Sequence, residues 1–240
     1  MNLKYFIPSL LTSTNIFLGS VAVFCAVDGK TDLAVYLVLF AAIFDFADGF
    51  FARMLNAVSD FGKQLDSLSD LISFGFAPAS ILYYHISTYL NLNLLKFIPS
   101  LIVIFSALRL AKFNIDPNQK SSFKGLPTPA NAMFLITIFH SDSIKISFIE
   151  TLLQSDIFIV LLIIVLSALL VLPLDFFSLK IKKLVFKENI FQIILILSGI
   201  ALFTIFGLTG ISFSIILYIV LSIFKSIFGK KNNNEIFSTD

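Results

Sequence analysis

The sequence is short of charge. Only 13% of its 240 residues are Asp, Glu, Lys or Arg, while 58% are hydrophobic. A soluble domain carries about 25% charged and about 45–50% apolar residues, so the composition is that of a membrane protein. The net charge of +2 is too small for an electrostatic nucleic-acid surface, and no nucleic-acid partner is expected. A single cysteine, Cys25, lies in an apolar run, which excludes a disulfide framework and a cysteine metal centre. No small-residue cleavage site follows the apolar stretch after Lys4, so that stretch is expected to persist as a span. Tryptophan is absent while phenylalanine reaches 29, a compositional bias without functional content.

What is present is a series of long apolar runs. A spanning helix needs about 20 mostly apolar residues. Eight runs qualify, at 7–27, 32–54, 66–88, 94–113, 127–147, 153–174, 189–207 and 210–229. The fifth is the weakest, interrupted by Ser141 and Asp142. The expected fold is therefore all-α, a polytopic bundle of about eight transmembrane helices with a polar cavity open to the cytoplasm. Basic residues orient it. With the N-terminus inside, fourteen of the 17 lysines and arginines fall on the cytoplasmic side and only Lys30, Lys96 and Lys145 on the other. Both termini and the 53–65, 109–126 and 175–188 loops are then cytoplasmic. Residues 1–229 read as one transmembrane domain, and 230–240 as a polar, disordered cytoplasmic tail. His85 and His140 fall on the opposite side and are read as interfacial residues without chemistry.

The second and third runs carry an unusual load. Asp45, Asp48, Gly49, Ala52 and Arg53 stand at i, i+3, i+4, i+7 and i+8, on one helical face. Gly62, Asp66 and Asp70 are spaced by four and share a face of the next helix. A short loop joins the two helices, so they pack antiparallel and the four carboxylates converge. Each aspartate at mid-membrane costs about 2.5–3.5 kcal/mol on insertion scales. Four of one sign persist together only with cations between them or with some protonated. Oxygen donors without His or Cys suit a hard cation such as Mg²⁺, Mn²⁺ or Ca²⁺. Gly49 and Gly62 open gaps for a bulky ligand, Ala52 keeps the wall low, and Arg53 can pair with a phosphate or a carboxylate.

The pattern Asp45-x2-Asp48-Gly49-x2-Ala52-Arg53-x8-Gly62-x3-Asp66-x3-Asp70 resembles that of the CDP-alcohol phosphotransferases at every fixed position. Further stretches are similar to the phosphatidylserine synthase subgroup. They are Thr12-Ser-Thr-Asn15, the 66–79 run containing Ser73, Gly75 and Pro78, Arg109-Leu-Ala-Lys112-Phe-Asn114, and Gly125-Leu-Pro127-Thr-Pro129-Ala-Asn131. The resemblance covers residues 5–135; the last three spans match in hydropathy only. Lys112 and Thr128 depart mildly from the subgroup's pattern.

The resemblance implies transfer of a phosphatidyl group from CDP-diacylglycerol to L-serine, with release of CMP, in a cell's inner membrane. It implies one or two Mg²⁺ or Mn²⁺ ions on Asp45, Asp48, Asp66 and Asp70, with Asp70 as the general base. Asp48, Gly49, Ala52, Arg53 and Gly62 would border the donor. Ser73, Arg109, Lys112 and Asn114 are the candidates for recognising serine, a zwitterion that needs both a cation and an acceptor. A homodimer is also implied. Two alternatives are weighed. One is the same family with glycerol 3-phosphate or an inositol phosphate as acceptor. The other is a cation transporter using the aspartates.

Overall fold

The computed structural model describes residues 3–90, 94–115, 123–140, 147–177 and 190–236. Each of the eight apolar runs carries a helix. The first two form an antiparallel hairpin, α1 (Leu3–Val27) and α2 (Thr31–Met54). The third is one rod made of α3 (Asp60–Asp70), a π-helical segment (Leu71–Phe76) and α4 (Ala77–Tyr89). A 3₁₀ turn (Leu94–Phe97) leads into α5 (Ser100–Ile115). There follow α6 (Thr128–Ile138), the short α7 (Ser147–Leu153), α8 (Asp156–Val171), α9 (Ile190–Phe206) and α10 (Thr209–Ile236). Three stretches, Lys4–Val27, Thr31–Met54 and Leu95–Ile115, are long and apolar enough to cross a membrane, and four further apolar helices are shorter. The protein is an all-α membrane bundle. Its outer surface fits that solvent: Phe17, Phe24, Ile43 and Phe46 are each more than 60% exposed.

The structure departs from the sequence expectation in four places. The third span is not uniformly α-helical. Pro78 has no N–H to give the Phe74 carbonyl, and the helix widens into the π segment just before it. The fifth helix stops at Ile138; the expected Ser141–Asp142 interruption lies outside the described residues. The tail expected to be disordered is helical to Ile236, because extending a formed helix costs little even through polar residues. The histidines are packed against protein rather than standing free at the surface. His140 is 3% exposed with Nδ1 2.8 Å from Asp32 Oδ1 on α2, and half-buried His85 has Nε2 3.1 Å from the Leu153 carbonyl on α7. Of the basic residues used for orientation, Lys120, Lys145, Lys180, Lys182, Lys183 and Lys187 lie outside the described residues.

Two apolar clusters hold the bundle. One joins α1, α2, the π segment, α4 and α6 through Ala22, Ala26, Val35, Val38, Phe74, Ile81 and Ile136. The other joins α4, α5, α6, α8 and α10 through Leu82, Ile102, Leu135, Ile163 and Tyr218. Small residues let α1 approach the π segment. A Cβ on Gly19 would stand 2.8 Å from Ser73 Cα, so only glycine fits. Near the start of α6 the chain is pinned to the end of α8. Phe123–Lys124 pairs antiparallel with Asp175–Phe176, and Leu126 N–H donates to the Leu169 carbonyl at 2.8 Å. Gly125, at φ +82°, makes the turn between these bonds.

Candidate functional site

The α2–α3 connection sets the site. α2 ends at Met54, and Asn56 takes a positive φ of 48°. Ser59 then caps α3, its Oγ accepting from Gly62 N–H at 3.0 Å. The tight turn and cap bring the two acidic faces together. Carboxylate oxygens of Asp45, Asp48 and Asp66 lie within 4.8 Å of one another. Phe46, next to Asp45, is 71% exposed, so α2 shows its acidic face inward and its apolar face to lipid. Asp70, one turn deeper than Asp66, hydrogen-bonds to Asp45, which also bonds to Asp66.

The donor set fits a hard divalent cation. Three carboxylate oxygens within 4.8 Å can share an ion whose metal–oxygen bonds run about 2.0–2.6 Å. One oxygen of Asp70 is buried without a partner among the described residues. Four carboxyl groups crowded together in an apolar bundle are also a charge arrangement that a cation would relieve.

Beside the cluster is a cavity of about 410 Å³. It is lined by Asp48, Gly49, Ala52, Arg53, Gly62 and Asp66, and by Tyr5, Pro8, Ser9, Thr12, Ser59 and Lys63 among others. Both glycines face open space rather than a neighbouring helix. A Cβ on Gly62 would meet only Ser59 Oγ, at 3.2 Å, and one on Gly49 only the Arg53 guanidinium, from 3.5 Å. Close helix packing therefore does not explain either glycine. The Arg53 side chain lies over Gly49, at the cavity wall.

The α1 wall was only faintly legible. Thr12 is 4% exposed, and its Oγ1 lies 2.5 Å from Asp48 Oδ2 and 3.0 Å from the Pro8 carbonyl. A hydroxyl has one proton, and the shorter, charge-assisted contact to the carboxylate takes it. The signal in the sequence was hydroxyls at Ser9 and Thr12, a turn apart in an otherwise apolar span.

The four residues proposed for the acceptor do not share one place. Arg109 is 8% exposed; its Nη1 donates to Thr128 Oγ1 at 2.9 Å, and its charge acts on Asp70. Arg109 and Lys112 line a second cavity of about 250 Å³ with Lys124, Leu170 and Pro173. Asn114 instead latches α5 to α3. Its Nδ2 donates to Ser67 Oγ at 2.8 Å, and its main-chain carbonyl accepts from Lys63 Nζ at 2.8 Å. Ser73 lines neither cavity: it is fully buried and donates to the Asn15 carbonyl on α1 at 3.0 Å. Ser73 shares the α1-facing side of the rod with Ser69, one turn earlier, whose Oγ donates to the Thr12 carbonyl at 3.4 Å.

The family model for CDP-alcohol phosphatidyltransferase matches residues 5–224. The chain belongs to the CDP-alcohol phosphatidyltransferase family. Among curated relatives of this family member, the CDP-diacylglycerol–serine O-phosphatidyltransferase of Helicobacter pylori is 33% identical over 95% of this chain and 94% of its own. The Bacillus subtilis enzyme of the same name is 38% identical over 55% of this chain and 75% of its own. The archaetidylserine synthase of Methanothermobacter thermautotrophicus is 37% identical over 57% of this chain and 60% of its own.

Proposed function

We propose that the protein transfers the phosphatidyl group of CDP-diacylglycerol to the hydroxyl of L-serine, giving phosphatidylserine and CMP. The observation that carries this reading is the meeting of Asp45, Asp48 and Asp66 beside a cavity whose glycine walls stand open. Family membership and the serine-accepting names of relatives matching most of the chain support it.

In this reading Asp45, Asp48, Asp66 and Asp70 hold one or two Mg²⁺ or Mn²⁺ ions. Such ions would offset negative charge on the donor's pyrophosphate and on the leaving CMP. The cavity takes the nucleotide: Gly49, Ala52 and Gly62 let it approach the backbone, and Arg53 pairs with phosphate. Asp70 accepts the serine hydroxyl proton as the oxygen–phosphorus bond forms and the bond to CMP breaks. Its deep position and unpartnered oxygen suit that role. Arg109, within electrostatic reach of Asp70, is the best-placed cation for the serine carboxylate, with Lys112 at the mouth of the second cavity. Asn114 and Ser73 keep α5 and α1 in place. The enzyme acts as a single domain over residues 1–229, in the inner membrane, with both termini and the carboxylate end in the cytoplasm. It acts as a homodimer, to be checked by mass measurement in detergent.

The transporter alternative is disfavoured, because the first apolar cluster closes the bundle beyond the carboxylates. A panel assay separates the acceptors. Membranes containing the protein receive CDP-diacylglycerol, Mn²⁺ or Mg²⁺, and serine, glycerol 3-phosphate or inositol phosphate, and CMP is followed. CMP release with serine is expected; release with glycerol 3-phosphate and not serine would overturn the acceptor assignment. Asp70→Asn should abolish turnover and keep donor binding, and undiminished turnover would remove the base assignment.

A further inference from the structure

Asn15 stands on the same face of α1 as Thr12, three residues further along. Thr12 meets Asp48 on α2. Because α1 and α2 are antiparallel, three residues forward on α1 match three residues back on α2, so Asn15 is level with Asp45. The third helix gives the same register. Ser69 Oγ donates to the Thr12 carbonyl at 3.4 Å, and Ser73 Oγ to the Asn15 carbonyl at 3.0 Å. That register sets Asn15 at the level of Asp45 and of the segment just after Asp70, the deep edge of the carboxylate cluster.

Its side chain is fully buried, and neither Oδ1 nor Nδ2 has a partner among the described residues. An unmet buried polar group costs stability, and such groups are rare in folded proteins. The residue does not line the 410 Å³ cavity, so the nucleotide is not its partner. Its backbone is held firmly: Ser73 bonds its carbonyl, and Gly19, one turn on, lets α1 press against Ser73. A hard cation takes six or more oxygen ligands, more than three carboxylates supply singly. A carboxamide oxygen adds a ligand without adding negative charge to a crowded acidic site, and Asn carbonyls ligate such ions.

We propose that Asn15 Oδ1 is a neutral oxygen ligand of the cation held by Asp45 and its neighbours, making α1 a third wall of the metal centre. This rests on the metal-dependent reading above. The test is Mn²⁺ binding to the purified protein without substrates, followed by electron paramagnetic resonance and calorimetry, with thermal unfolding in EDTA alongside. Asn15→Leu should weaken Mn²⁺ binding by about tenfold or more without lowering the unfolding temperature in EDTA. Asn15→Asp, which keeps the oxygen, should bind at least as tightly as wild type. Wild-type affinity in Asn15→Leu would overturn the proposal, and so would weakened binding in Asn15→Asp. Should Asn15→Leu fail to fold, Asn15→Asp alone decides on the same criterion. Absence of Mn²⁺ binding by the wild type would instead remove the metal centre, and the proposal with it.

Discussion

The two ends of this bundle use polar residues in opposite ways. At the far end the imidazoles are matched to protein partners: His140 to Asp32, and His85 to the Leu153 carbonyl. These contacts tie α6 to α2 and α4 to α7. At the carboxylate end Asp70, Asn15 and Arg109 each keep a buried polar atom without a partner among the described residues, beside the crowded aspartates. A buried polar group that bonds to the protein stabilises the fold. One left unmet costs stability and is retained where a ligand meets it. The comparison assigns structure to one end and chemistry to the other.

Substitutions at the two ends should therefore separate activity from stability. The largest effect is expected from Asp48→Asn, which removes a charge from the metal cluster and leaves the Thr12 hydroxyl a neutral acceptor in place of a carboxylate. CMP release in membranes should fall by roughly 10²–10³-fold or more, with the unfolding temperature unchanged or raised. Next is Thr12→Val, which deletes only the hydroxyl that orients Asp48. A hydrogen bond to a charged group contributes about 1.5–3 kcal/mol, so turnover should fall by roughly 10–100-fold. Unaltered turnover would mean that Asp48 is positioned without α1. The smallest effect on activity belongs to the far end. His140→Asn should cost about 1–3 kcal/mol of stability by breaking the contact with Asp32, read as a lowered unfolding temperature. Its turnover at permissive temperature should match the wild type. A loss of turnover there equal to that of Thr12→Val would erase the distinction between the ends.

Much of the carboxylate end was legible because helical spacing is rigid. Once Asp45, Asp48, Asp66 and Asp70 are placed on two helices with a short loop, their convergence follows, and the structure has it. The same holds for Gly49, Ala52, Arg53 and Gly62, which line one cavity. Each of the eight long apolar runs likewise met a helix, while the short α7 fell between the fifth and sixth. What escaped the sequence depends on breaks in periodicity and on tertiary register. Ser73 was a candidate for the acceptor because it lies in a stretch similar to the family's serine-accepting subgroup. Ser73 continues the face of Ser69, one turn earlier, and like it bonds a main-chain carbonyl of α1, a contact that only the tertiary register reveals. Arg109 and Asn114 share a motif, yet five residues along α5 carry them to different neighbours, Thr128 on α6 and Ser67 on α3. The histidines read as interfacial from position alone, while their burial depends on which helices close over them. Thr12 and Asn15 were visible as a motif, but the register of α1 against α2 and α3 was needed to give them a place.

The most direct test of the central claim, that the carboxylate end is a cation-dependent phosphatidyl-transfer site, is CMP release from CDP-diacylglycerol with L-serine, measured before and after removal of divalent cations. Chelation should stop release, and Mg²⁺ or Mn²⁺ should restore it in the wild type and not in Asp48→Asn. Phosphatidylserine formation at an undiminished rate in the chelated protein would contradict the account.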